Sequence, residues 1–260
     1  MSFVQTAILA AFAGGTIFLG LPVAMLRGLS STARAALTTA AAGVVLFIIY
    51  DVLSQALLPV EAALQAAREG AGAGQFAAYA AILGGSVAFG LLSVTYVSQR
   101  MHSRVDRAAV SPRQVALGTA VGLGLHNFSE GLAIGQSAAT GATTLALVLV
   151  VGFALHNATE GFAIGAPLGM GERPSWRFLV LAGAVGGGPT FAGSLVGYVL
   201  VSPTLSILFL GLAAGALIFV FNEMVAAGRR FSLPMVTGAA LTLGLLIAFG
   251  TDFVLSAAGA

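Results

Sequence analysis

Leu125-His126-Asn127-Phe128-Ser129-Glu130-Gly131-Leu132-Ala133-Ile134-Gly135 returns thirty residues later as Leu155-His156-Asn157-Ala158-Thr159-Glu160-Gly161-Phe162-Ala163-Ile164-Gly165, with eight of eleven positions identical. Each copy sits inside a long apolar run. At ~1.5 Å per residue, thirty residues is about one membrane span and a turn. The copies are therefore expected on consecutive antiparallel helices. That is an inverted repeat, an arrangement that puts substrate sites near the bilayer midplane where the repeats meet. His126 and His156 both fall near the middle of their runs, which agrees with that depth.

His and Glu at i and i+4 share one helix face. The Asn at i+1 is turned by about 100° and lines the edge of that face. Facing helices would bring His126, Glu130, His156 and Glu160 together, with Asn127 and Asn157 beside them. Two imidazoles and two carboxylates suit Zn²⁺ or another first-row divalent ion. Bare neighbouring carboxylates repel, so metal binding is expected to be linked to proton release. A purely structural hydrogen-bond network explains less. Polar bridges between membrane helices are worth only ~1 kcal/mol each, and ionisable residues inside a membrane mark functional sites by default.

Composition sets the solvent. Of 260 residues, 58% are hydrophobic and only 8% charged, and the mean hydropathy is +1.00. Soluble domains carry roughly 25% charged residues, so most of this surface must face lipid. Spans are expected at 3–26, 35–59, 76–98, 114–137, 142–167, 177–200, 203–227 and 233–256, separated by loops rich in Gly, Pro, Ser and Arg. Eight spans leave no room for a soluble domain, and residues 1–260 read as one all-α membrane domain. There is no cysteine, which excludes disulfides and thiolate metal sites. No basic segment precedes the first apolar run, so the first helix is expected to stay in the mature protein. Nothing points to a nucleic-acid partner.

The basic residues are all arginine, and ten of the eleven fall in alternate loops. These are Arg27 and Arg34; Arg100, Arg104, Arg107 and Arg113; Arg173 and Arg177; Arg229 and Arg230. Arg68 lies on the other side, beside Glu61 and Glu69. The positive-inside rule then puts both termini outside the cytoplasm, with an inner or plasma membrane as the expected location. Gly193-x-x-x-Gly197 and Gly211-x-x-x-Gly215 read as close-packing faces.

Other polar positions stay open. Asp51, in span two, is either a ligand on the way in or a helix-packing group. Asn222 and Glu223, in span seven, are either ligands on the way out or an ion-paired helix end near Arg229. Gly186-Gly187-Gly188-Pro189, mid-span six, either bares carbonyls to a pathway or packs closely. His102 reads as a solvated loop residue.

With these residues in place, the chain resembles the ZIP family of divalent metal transporters, in particular its bacterial GufA-like branch. The two HNxxEG motifs carry the resemblance. It implies uptake of Zn²⁺, Fe²⁺, Mn²⁺ or a related ion into the cytoplasm, with the metal as substrate rather than cofactor. It further implies an eight-helix homodimer and a binuclear centre between spans four and five. Spans one, four, five and six would carry that centre in an elevator-like movement. By position, His126, Glu130, His156 and Glu160 look like the primary site, and Asn127 and Asn157 like parts of the second. Asn222 and Glu223 match a polar pair in span seven. The chain departs from the pattern at Val45, where relatives have a Met ligand, at Gly188, where they have Glu, and at Asn157, commonly Asp. Ser129 and Thr159 stand where Pro is frequent, and a His-rich loop is missing. One tight metal with a weak or absent second is the resulting expectation. The rival readings are an intramembrane zinc-dependent hydrolase and a proton-coupled carrier of a small solute. The hydrolase lacks a spare acid near the motifs and an H-E-x-x-H.

Overall fold

The computed structural model describes residues 1–26, 28–102, 111–170, 173–200 and 202–257, apart from the side chains of residues 97, 98, 100–102, 156, 170, 251 and 254–256. Its elements are α1 (Phe3–Gly15), α2 (Ile17–Gly20), α3 (Ser31–Ala66), α4 (Gly74–His102), α5 (Pro112–Ala139), α6 (Thr143–Gly165), α7 (Trp176–Val199), α8 (Pro203–Arg229) and α9 (Pro234–Ala257). Among the described residues all regular structure is helical.

Serine starts five of these helices. Ser2 and Ser111 form capping boxes with Gln5 and Gln114, and Ser30, Ser175 and Ser202 each accept a hydrogen bond from the backbone N–H three residues on. Each supplies an acceptor to a donor that the first turn otherwise leaves orphaned. Pro112 and Pro203 occupy first turns, where a missing N–H costs nothing. Gly141, at φ +82°, turns the chain between α5 and α6.

Six helical stretches are long and apolar enough to cross a membrane: Phe3–Met25, Ser31–Ala71, Gly74–Tyr96, Thr143–Gly169, Trp176–Val199 and Pro203–Arg229. The protein is a helical membrane protein. Two of the expected spans fall short of that measure. The fourth, α5, carries the polar residues His126, Asn127, Ser129 and Glu130 and buries them inside the bundle. The eighth, α9, is apolar over the shorter described stretch Pro234–Gly250.

Two boundaries differ from expectation. The first span is broken at Thr16, after which the chain continues as α2 and a 3₁₀ turn, Leu21–Met25, that contains Pro22. The Thr16 hydroxyl lies 2.7 Å from the Ala13 carbonyl and 2.6 Å from the Ala154 carbonyl, tying the break to α6. The second span is longer than expected. α3 has 36 residues, about 54 Å, whereas a hydrocarbon core is about 30 Å thick. Its end therefore projects beyond the core towards Arg68 and Glu69.

Glycine sorts the helices into two sets. A Cβ on Gly14, Gly20, Gly124, Gly131, Gly135, Gly161, Gly187, Gly193 or Gly197 would strike backbone elsewhere in the group formed by α1, α2, α5, α6 and α7. One on Gly43, Gly90, Gly215 or Gly244 would strike backbone within the group α3, α4, α8 and α9. Across the boundary the contact changes character: Gly118 meets the Val220 side chain and Gly122 the Leu217 side chain. The first set is thus held backbone to backbone, and in the second α3 locks to α9 and α4 to α8, which lets van der Waals packing hold them. The seam between them is made of side chains, including the buried Leu123, Leu217 and Val220.

Arg68 apart, the described arginines gather at one end. α5 and α8 run antiparallel, since Gly118 meets Val220 and Gly122 meets Leu217. Arg113 lies 5.9 Å over the Phe178 ring, which brings the starts of α5 and α7 together. Thr39, Arg229 and Pro234 line one groove. Arg34, Arg113, Arg177, Arg229 and Arg230 therefore share this end, as the alternating loops predict. Arg27, Arg100, Arg104 and Arg107 lie outside the described residues or side chains, and so does His102.

Candidate metal centre

α5 projects His126, Asn127 and Glu130 into the bundle, and α6 projects Asn157 and Glu160 to meet them. His126, Asn127, Asn157 and Glu160 are 0% exposed and Glu130 is 2%. His126 Nε2 lies 3.2 Å from Glu130 Oε1, 3.9 Å from Glu160 Oε1 and 4.0 Å from Asp51 Oδ2. The i,i+4 pair shares a face as its spacing requires. His156 lies on α6 one turn before Glu160, but its side chain is outside those described.

Asp51 reaches this centre from α3, across the seam between the two helix sets. Its side chain is 21% exposed, against 0% for His126. Gln55 Nε2 donates to Asp51 Oδ2 at 2.8 Å and fixes that carboxylate. The sequence left Asp51 undecided and passed over Gln55. The signal was an acid and an amide at i and i+4 in an otherwise apolar run.

The asparagines tie helices together. Asn127 Nδ2 lies 2.7 Å from Asn157 Oδ1, 2.7 Å from Glu160 Oε2 and 3.0 Å from the Gly186 carbonyl, so it bridges α5, α6 and α7. Asn157 Nδ2 donates to the Ala13 carbonyl of α1 at 3.1 Å. Both polar ends of Asn157 are thus occupied by protein. Asn127 Oδ1 is buried and accepts no hydrogen bond among the described residues, so it keeps an oxygen donor of the type divalent cations use. Asn127→Leu would strand the Asn157 oxygen and take one donor from Glu160. A stranded buried acceptor costs about 1–3 kcal/mol and a hydrogen bond to a carboxylate is worth about 1.5–3 kcal/mol, so this variant is expected to lose about 2.5–6 kcal/mol of stability in reversible unfolding from mixed micelles.

The glycine after each motif Glu has a packing reason. A Cβ on Gly131 would strike the Thr190 carbonyl of α7, and one on Gly161 the Ile17 carbonyl of α2. Glu130 and Glu160 therefore sit at points where α5 and α6 press closest against their neighbours. Gly187 meets the Gly14 carbonyl in the same way, and Gly186 turns its own carbonyl to Asn127. The glycines before Pro189 thus serve both close packing and carbonyl presentation, within a helix that stays continuous through the proline.

Four positions singled out by the resemblance lie elsewhere. Gly188 is on the exposed face of α7, with open space beside it, so a side chain there would point away from the centre. Val45 is 0% exposed and packs in the apolar core; Asp51 is the α3 residue that approaches His126. Asn222 is exposed and Glu223 half-buried. With Val220 level with Gly118, Glu223 stands roughly 16 Å along the bundle from His126. No Glu223–Arg229 ion pair forms among the described residues.

Around His126 the chemistry is lopsided. Three carboxylates approach one imidazole nitrogen, and acids this close repel unless a proton or a cation comes between them. A dication would supply that balance. Among the described residues no three His, Asp or Glu side chains already surround a common point, because the imidazole lies between the acids. A metal held here would need the His126 ring to turn aside from Glu130.

No protein-family model matches the chain, and a search of curated proteins finds no match.

Proposed function

We propose that this protein carries divalent transition-metal ions across its membrane, in the manner of the ZIP family, through the centre formed by His126, Glu130 and Glu160 with His156. The observation that carries this reading is the convergence of three acids and an imidazole, from three helices, in the bundle interior. A structural role would be a costly use of such groups: a charged side chain at the bilayer centre costs about 3 kcal/mol by insertion scales. Asn127 supplies a further oxygen and Asp51 a donor from the opposite helix set. Asn222 and Glu223 belong further along the pathway.

The packing supports a moving-body mechanism. α1, α2, α5, α6 and α7 are locked to one another and hold most of the centre, while Asp51 belongs to the other set. Sliding at the side-chain seam would move His126, Glu130 and Glu160 together and leave Asp51 behind. Such a carrier has eight spans, its two motifs in inverted repeat, and both termini outside the cytoplasm, with the arginine-rich end inside. Zn²⁺ fits the imidazole–carboxylate set, and Fe²⁺, Mn²⁺ and Cd²⁺ are the competitors to rank.

The test is uptake of radioactive Zn²⁺ into proteoliposomes by wild type and by the His126→Ala/His156→Ala double variant. Saturable uptake by wild type, reduced to the rate of empty liposomes in the variant, is the expected result. Folded, metal-loaded protein that moves no ion would reject the carrier and direct attention to hydrolysis of a membrane substrate. Solute uptake without any metal requirement would favour the proton-coupled carrier.

A further inference from the structure

At the arginine-rich end a groove of about 330 Å³ opens between α3, α8 and α9, away from the metal centre. Its walls are mostly apolar, with Val225, Leu233, Pro234 and Leu241 among them, and Arg229 stands at its mouth with Ser232. Arg229 is exposed, and its guanidinium makes no hydrogen bond or ion pair among the described residues. From Pro234 to Leu241 the groove follows α9 for about 10 Å towards the hydrocarbon region. Gly238 opens onto it: a Cβ there would meet nothing within 4 Å. The chain between α8 and α9 turns through Ser232 at φ +55°, which brings that residue and Arg229 to the same rim.

This is an amphipathic cleft, cationic at the surface and apolar below it. We propose that it binds one anionic phospholipid, with the headgroup phosphate on Arg229 and an acyl chain lying along Leu241 and Gly238. Charge complementarity selects the anionic class. The Arg229 guanidinium has no partner among the described residues, and Arg34, Arg113, Arg177 and Arg230 make the same end of the bundle positive. Basic pockets between membrane helices hold anionic headgroups for this reason, each arginine adding about fivefold in affinity. An acyl chain suits the lower wall because a groove facing hydrocarbon has no water to fill it. The inference does not rest on metal transport.

The full-length protein, purified in detergent, is tested by native mass spectrometry with added phosphatidylglycerol or phosphatidylcholine. Wild type is expected to retain phosphatidylglycerol about fivefold better than phosphatidylcholine. Arg229→Gln should erase that preference, and Arg229→Lys should keep it. Gly238→Leu, whose Cβ meets open space, should reduce retention of both lipids. Circular dichroism confirms that each variant is folded. Equal retention of the two lipids by wild type, a preference that survives in Arg229→Gln, or unaltered retention in Gly238→Leu would overturn the assignment. So would displacement of phosphatidylglycerol by an equal concentration of inorganic phosphate, which would make the site one for the free anion.

Discussion

Glu130→Gln combined with Glu160→Gln is expected to lower affinity for divalent metal more than a hundredfold and to stop uptake. Glutamine keeps the shape and one carbonyl oxygen, so Asn127 Nδ2 retains its partner at position 160 and the helices stay tied. What the variant removes is charge. Two of the three acids around His126 Nε2 lose it, and the remaining one, Asp51, is the most exposed and among the most distant at 4.0 Å. Groups one step removed from a metal are already worth about 10–100-fold in affinity, so loss of two direct ligands must exceed that. Equilibrium dialysis against Zn²⁺, with metal analysis of the protein fraction, measures it. Wild type should hold one ion per chain at low free metal, because Asn157 is engaged at both ends by Asn127 and Ala13 and Gly188 faces outward. Undiminished binding in the double variant would mean that these acids are structural and that the proposed centre is misplaced.

The second large effect concerns stability. Gly131→Ala puts a Cβ where the Thr190 carbonyl stands. The obstacle is helix backbone, which cannot rotate away as a side chain can, so α5 and α7 must separate. Overpacking costs about 1–3 kcal/mol where side chains can yield, and the upper end or beyond is expected here. Because Glu130 is the preceding residue, the same shift should also weaken metal binding. Gly188→Ala is the control on the neighbouring helix. It meets open space and is expected to gain up to about 1 kcal/mol, since alanine loses less backbone entropy in a helix. Thermal unfolding in detergent separates the pair. Equal midpoints would show that the glycine contacts between α5 and α7 do not hold the bundle together.

Much of the architecture was legible in residue order. Low charge and long apolar runs dictate membrane helices, because so few charges cannot cover a water-exposed surface. Arginine placement assigns the loops to ends, since a helix that crosses must alternate. The repeated His-x-x-x-Glu spacing dictates that each pair shares a face. All three follow from local chemistry acting over one span or less.

What the sequence could not supply was which groups meet across helices. Asp51 lies 75 residues from His126 in the chain, and only the packing of α3 against the other set decides that its carboxylate approaches the imidazole. The asparagines read as ligands from their place in the motif and from the resemblance; their neighbours on α1 and α7 are carbonyls that no motif announces. Gly188 looked like a vacant ligand position until the rotation of α7 turned it outward. The break at Thr16 follows from a contact with Ala154, on another helix. Periodicity fixes a helix and its apolar character, but its rotation, register and partners are set by van der Waals fit and hydrogen bonds between distant segments.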